Sequence, residues 1–469
     1  MSLATFRQSL DRPDIKAHLR GGLIGEGVPV PGPFGEHPMV YADHVASGRA
    51  LAQVEDFVMR EVLPFYANSH TEASHCGGVM TRMRAEARAT ISRLTRAEGC
   101  AVIFAGSGAT AGLNRLVRLL GVDTTPGAVV FIGPYEHHSN ILPWRESGAT
   151  VVEIPEAPTG GPDLAALEAA LTDHSDAPLK VGAFSAASNV TGIVTDPAPV
   201  TAILRAHDAR AVWDYAGGGP YLPIDMRGID AAVVSPHKFP GGPGASGVLI
   251  VRRDAVRTTT PTWPGGGTVA FVSPWGHDYA DSVEDREEAG TPNVIGDIRA
   301  ALAFLVKDAI GPDTIAARES DLLARATAAW AAHPRIDIVG GATTAHRLPI
   351  FSLRVRDGAG GHIHQQLFTR MLSDVHGVQA RGGCACAGPY AHRLLGIDHA
   401  ASDALRQDLQ AGIETEKPGW TRLNFSYLID DATADFIIAA VTDLADRAPD
   451  LARHYACDTA TARFTPRAA

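Results

Sequence analysis

Between residues 101 and 251 the chain alternates short apolar runs with amphipathic stretches of about ten residues, and few folds tolerate that rhythm. The runs at 101–105, 128–132, 150–154, 180–185, 211–213, 231–235 and 247–251 have the length of strands and little internal polarity. Stretches at 110–120, 163–171 and 197–207 carry helical spacing between them. Strands apolar on both faces must be covered on both faces, so the pattern predicts a mainly parallel sheet sandwiched by helices. Pro-Gly clusters at 240–244 and 264–267 then mark loops beyond strand ends, where such sheets place ligands.

The flanks differ in texture. Residues 1–35 are rich in Gly and Pro without a clear period and are expected to form an irregular arm; helices are expected over 50–65 and 80–96. After Thr291 long helices (294–310, 312–332) give way to strands at 348–355, 378–381 and 421–425, with helices at 361–373, 401–412 and 432–446. The expected organisation is an arm (1–35), a large α/β domain (36–295) and a smaller C-terminal α+β domain (296–469). Composition removes several classes of function. Lys and Arg number 41 against 52 Asp and Glu, a net charge of −11, which argues against a nucleic-acid-binding surface. No apolar run reaches the length of a membrane span, and residues 1–10 lack a basic flank followed by an apolar stretch. Five scattered cysteines make no disulfide framework. The expectation is a cytoplasmic enzyme.

Chemistry concentrates at three places. Ser235-Pro236-His237-Lys238 follows a buried strand, where desolvation favours a lysine amine as nucleophile. Asp214 ends another strand, and a carboxylate beside such a lysine suits the protonated ring nitrogen of pyridoxal phosphate. A Lys–Asp surface pair is the plainer alternative. Gly106-Ser107-Gly108-Ala109-Thr110 opens a helix after a strand, an arrangement that presents backbone N–H groups to a phosphate.

In this order the motifs resemble the class V, fold-type I pyridoxal-phosphate enzymes, and within them the cysteine desulfurase and selenocysteine lyase branch. The resemblance runs through Val40-Tyr41-Ala42-Asp43-His44, Gly108-Ala109-Thr110, Glu136-His137-His138-Ser139-Asn140 and Ser188-Asn189-Val190-Thr191-Gly192. It continues through Asp214, Ser235-Pro236-His237-Lys238, Gly290-Thr291-Pro292-Asn293, Arg381-Gly382-Gly383-Cys384-Ala385-Cys386 and Arg422-Leu423-Asn424. It implies that Lys238 links to the cofactor and later moves the substrate Cα proton. His137 stacks on the ring, with Ala216 packing against it, Asp214 pairs with the ring nitrogen and Asn189 reaches the ring hydroxyl. Ala109, Thr110, Ser235 and His237 hold the phosphate, and Thr291 reaches the phosphate of a neighbouring subunit, which implies a homodimer. Arg422 clamps the substrate carboxylate. Asp43, His44, Arg381 and one of His70 and His75 complete the expected substrate-facing set.

The resemblance aligns Cys386 with the desulfurase nucleophile, and Arg381 nearby is the kind of charge that favours a thiolate. A buried pair of small residues and half a metal site are the alternatives for Cys384 and Cys386; no metal is expected. A Cys-x-Cys followed by Leu395-Gly396 also resembles the desulfurase domain of molybdenum-cofactor sulfurases. Asp214-Tyr215-Ala216-Gly217 departs from the family's Asp-Gly-Ala-Gln, and the segment after Cys386 is longer than in compact relatives. The expected reaction converts L-cysteine to L-alanine, leaves a persulfide on Cys386 and passes its sulfur to an acceptor protein. A C–S lyase, aminotransferase or epimerase without a cysteine nucleophile is the alternative, and a non-catalytic scaffold a further one.

Overall fold

The computed structural model describes residues 2–69, 72–341 and 346–467. Contacts divide the chain into two units, one of residues 1–24, 47–187 and 194–315, the other of residues 25–46, 188–193 and 316–469. The division therefore interleaves the chain, whereas the sequence suggests three consecutive segments with boundaries near 35 and 295.

The first unit is built on seven strands: β1 Cys100–Gly106, β2 Val129–Ile132, β3 Thr150–Glu153, β4 Lys180–Ser185, β5 Arg210–Asp214, β6 Ala231–Val234 and β7 Gly247–Arg252. Their order is β1-β7-β6-β5-β4-β2-β3. β2 to β6 run parallel, and β7 is antiparallel to both its neighbours. The apolar runs are as buried as a covered sheet requires: all four residues of β2 and of β6 lie inside, and Val130, Phe131, Val212, Trp213 and Val233 have no exposed surface. Each such side chain stabilises by roughly 1.5–3 kcal/mol. Helix Gly108–Leu119 lies on β6 and β7 at close range, because a Cβ on Gly112 would fall 2.8 Å from Val233 Cγ1.

The N-terminal segment is not irregular. Helices Leu3–Ser9 and Ile15–Gly21 form there, burying Leu3, Phe6, Leu10 and Leu19, and the Phe6 ring meets Phe57 edge-on at 5.3 Å. Seven-residue helices have too few turns to stand out beside the following glycines. Also unannounced by the sequence is a hairpin, β8 Val269–Ser273 and β9 Gly276–Tyr279, which leaves Phe271, Val272 and Trp275 exposed.

The second unit carries an antiparallel sheet of β10 Ile336–Ile338, β11 Ile350–Arg356, β12 Arg381–Gly383 and β13 Trp420–Asn424, in the order β10-β11-β13-β12. Trp330 anchors its core, 4.8 Å from Phe351 edge-on and stacked at 6.0 Å on Phe425. The segment after Cys386 forms a helix, Gly388–Leu395, capped by Gly396 in the left-handed region at φ 64°. Among the described residues no helix is long and apolar enough to cross a membrane.

The close approach at Gly112 is testable. Gly112→Val places a branched side chain against Val233, and overpacking of this kind lowers stability by about 1–3 kcal/mol, measured as a lower urea midpoint.

Candidate active site

In the first unit the polar residues gather at the carboxyl ends of the central strands. Asp214 is the last residue of β5 and is 3% exposed. Its Oδ1 accepts from the Ala216 amide at 2.7 Å. Burial pushes its carboxyl above the usual range, while the Ala216 hydrogen bond and the Lys238 cation pull the other way. Lys238 closes the single turn Pro236–Lys238 that follows β6, the strand paired with β5. The same lysine and, more strongly, burial hold His237 down at about 4, so its imidazole is neutral at pH 7.

An anion cradle opens beside this turn. Gly108 starts its helix at φ +61°, and a Cβ there would lie 2.9 Å from His237 Cε1 and 3.0 Å from Ser235 Oγ. Ser235 Oγ accepts from the Ala109 amide at 2.9 Å, tying the turn after β6 to the helix start. Thr110, exposed, shares a hydrogen bond of 2.7 Å with Ser139 Oγ. Backbone N–H groups of the first helical turn and these hydroxyls form a donor set suited to a phosphate. His137 is half-buried, and its Nδ1 engages the Ser139 amide at 3.1 Å and the Ser139 hydroxyl at 3.0 Å, which fixes the ring. Ala216 is half-buried beside Asp214. Thr291 is exposed, two residues before the Asn293 cap of helix Val294–Ile310. His75 is exposed at a helix start, with its ring 5.6 Å from Phe65, and His70 lies outside the described residues.

The second unit brings together residues far apart in sequence. Asp43 accepts from Arg381 Nε and from Arg422 Nη2, each at 2.9 Å, and Arg381 and Arg422 face each other across β12 and β13. Asp43 thus orients two guanidiniums. Arg422 is 3% exposed; its Nη1 donates to the Asn189 carbonyl at 3.3 Å, and its buried Nε has no hydrogen-bond partner. A buried donor left without an acceptor is costly, and a bound carboxylate would satisfy it. The Cys386 sulfur lies close enough for its anionic form to act on Arg422. Asn189, which the resemblance assigns to the cofactor ring hydroxyl, donates its Nδ2 to the Ala385 carbonyl at 2.8 Å. Arg347 fixes the Asn189 loop through the Thr191 carbonyl at 2.7 Å. His44 is buried, edge-on to Tyr41 at 5.0 Å.

Glu136 is the polar residue that sequence reasoning passed over. It is 2% exposed and accepts from the Ser185 amide at 2.8 Å, the Ser185 hydroxyl at 2.5 Å and Asn140 Nδ2 at 2.6 Å. Ser185 pairs with Asp214 across β4 and β5. Burial raises the Glu136 carboxyl to about 7, against these hydrogen bonds and with Asp214 adding to the rise. The i, i+4 spacing of Glu136 and Asn140 was the available signal.

A carboxyl raised in the folded state contributes stability that is complete below its unfolded value and disappears as pH rises through the folded one. For Glu136 that window runs from 4.5 to about 7. Glu136→Gln removes the titration. Its unfolding free energy should therefore fall less than that of the unmodified protein between about pH 5 and pH 8, by on the order of 3 kcal/mol in urea titrations.

Known proteins similar to this chain are consistent in kind. The aminotransferase class-V family model matches residues 40–406. A probable cysteine desulfurase of Vibrio cholerae is 30% identical over 363 residues, covering 75% of this chain and 85% of the relative. Probable cysteine desulfurase 1 of Mycobacterium leprae is 29% identical over 368 residues, 76% of this chain, and the match spans only 57% of that longer protein. The fold matches the cysteine desulfurase from Thermococcus onnurineus with a TM-score of 0.73 at 23% identity, covering 87% of this chain and 95% of that one. Family model, relatives and fold agree, and the chain is a cysteine desulfurase-like member of the aminotransferase class-V family of pyridoxal-phosphate-dependent enzymes.

Proposed function

We infer that this chain is a pyridoxal-phosphate-dependent cysteine desulfurase, acting in the cytoplasm as a homodimer. The observation that carries the reading is the buried Asp214 carboxylate under the charge of Lys238, at the ends of adjacent parallel strands. The cradle at Gly108, where a side chain would strike Ser235 and His237, fits the cofactor phosphate. Ala109, Thr110, Ser235 and His237 would hold that phosphate, Asp214 the ring nitrogen, and His137 and Ala216 the ring faces. Bound there, pyridoxal phosphate supplies an electron sink for a carbanion at the substrate Cα.

The chain's own groups do the rest. Arg422, oriented by Asp43, binds the α-carboxylate of L-cysteine through its unpartnered Nε. Lys238 takes the Cα proton and later returns it. Cys386 thiolate attacks the substrate sulfur; a new S–S bond forms, the Cβ–S bond breaks, and L-alanine leaves after Cβ gains a proton. The product on the enzyme is a persulfide, ready for an acceptor protein. Exposed Phe271, Val272 and Trp275 on the hairpin support a second copy as partner, with Thr291 reaching that copy's phosphate.

Gly217 favours a second reading. It removes a side-chain donor that the family uses at the cofactor, which suits a lyase or aminotransferase that needs no cysteine nucleophile. Two variants separate the readings. Lys238→Ala should lower alanine formation from L-cysteine by about a thousandfold or more. Cys386→Ser should do the same in a desulfurase, whereas a lyase or aminotransferase keeps its turnover.

A further inference from the structure

Cys384 stands two residues from the proposed nucleophile, and the reaction above makes no use of it. Its carbonyl accepts from the Ala387 amide at 3.2 Å, which closes a four-residue turn. Both central residues of that turn are left-handed, Ala385 at φ 55° and Cys386 at φ 56°. Neither is glycine, and this conformation costs roughly 1–2 kcal/mol for each residue with a side chain. The Asn189 Nδ2 bond to the Ala385 carbonyl holds the turn from outside. An extended Cys-x-Cys keeps its α-carbons nearly two 3.8 Å links apart, about 7 Å, whereas a tight turn brings them to roughly 5.5 Å. Disulfides need about 4.4–6.8 Å. Cys386 is exposed and Cys384 half-buried, so small thiols can reach the pair.

We propose that Cys384 is a resolving thiol that discharges the Cys386 persulfide by forming a Cys384–Cys386 disulfide and releasing sulfide. This rests on the desulfurase reading. The Cys384 thiolate attacks the inner sulfur, the one attached to Cys386. A Cys384–Cys386 bond forms, the persulfide S–S bond breaks, and its electron pair leaves with hydrosulfide, which takes up the proton lost by Cys384. The outer sulfur is thereby reduced and the Cys384 sulfur oxidised, while the Cys386 sulfur stays at the level it already had in the persulfide. A low-molecular-weight thiol or a protein dithiol then returns two electrons and two protons, restoring both cysteines. A disulfide closing so small a ring is strained and easily reduced, which keeps this last step available.

The test uses the full chain with pyridoxal phosphate bound, one equivalent of L-cysteine per subunit and no added reductant, followed by acid quench and intact mass. The unmodified protein should lose about 2 Da and release one sulfide per alanine, while Cys384→Ser forms as much alanine but gains about 32 Da, one retained sulfur. Retention of that sulfur by the unmodified protein would overturn the proposal. Alanine formation by Cys386→Ser at the unmodified rate would instead overturn the desulfurase reading beneath it. An arm free of substrate and cofactor chemistry treats the protein with diamide and maps disulfides by peptide mass. A Cys384–Cys386 link supports the proposal, and its absence sinks it.

Discussion

A strand buried on both faces has nowhere to carry a polar side chain except its ends. In the first unit that constraint governs the placement of every charged group of interest. Past the basic residues that open them, Arg210 and Lys180, β5 carries no polar side chain until Asp214 and β4 none until Ser185, and β6 is apolar until Ser235. Because the strands are parallel, these ends fall on one side of the sheet, and a lysine, two carboxyls and a hydroxyl-lined helix start converge there. The burial that stabilises the sheet also sets the electrostatics: it raises Asp214 and Glu136 and lowers His237.

The second unit solves a different problem. Its guanidiniums sit on neighbouring antiparallel strands, where their like charges oppose each other across β12 and β13. A single carboxylate, Asp43, relieves that repulsion by accepting from both. Each guanidinium is thereby fixed in direction, and Arg422 keeps one buried donor for an incoming acceptor.

The central sheet was legible because its strands are short, apolar and separated by periodic helices; predicted and observed limits for β4 and for helix Val294–Ile310 coincide. Lys238, Asp214 and the Gly108 turn could be singled out because each ends a strand or lies within a few residues of one. The N-terminal helices and the hairpin at 269–279 were not. The helices have only two turns, and the hairpin exposes the apolar residues by which a strand is recognised. Asp43, Arg381 and Arg422 could each be picked out, but not that one carboxylate bridges two guanidiniums 338 and 379 residues away. Glu136 shows in sequence only its spacing to Asn140; its burial against Ser185 depends on a strand 49 residues further on.

The antiparallel strand β7 has a consequence for how the chain is made. It joins β1 to β6, pairing Arg252 with Cys100 and Val251 with Ala231. During synthesis β1 emerges with its sheet neighbour about 150 residues behind it. The segment 25–46 waits longer still, since apart from the short piece 188–193 the rest of its unit begins at residue 316. Vectorial folding thus leaves early segments unpaired until late ones arrive, a long-range order of assembly that slows folding and prolongs the chain's need for protection from aggregation.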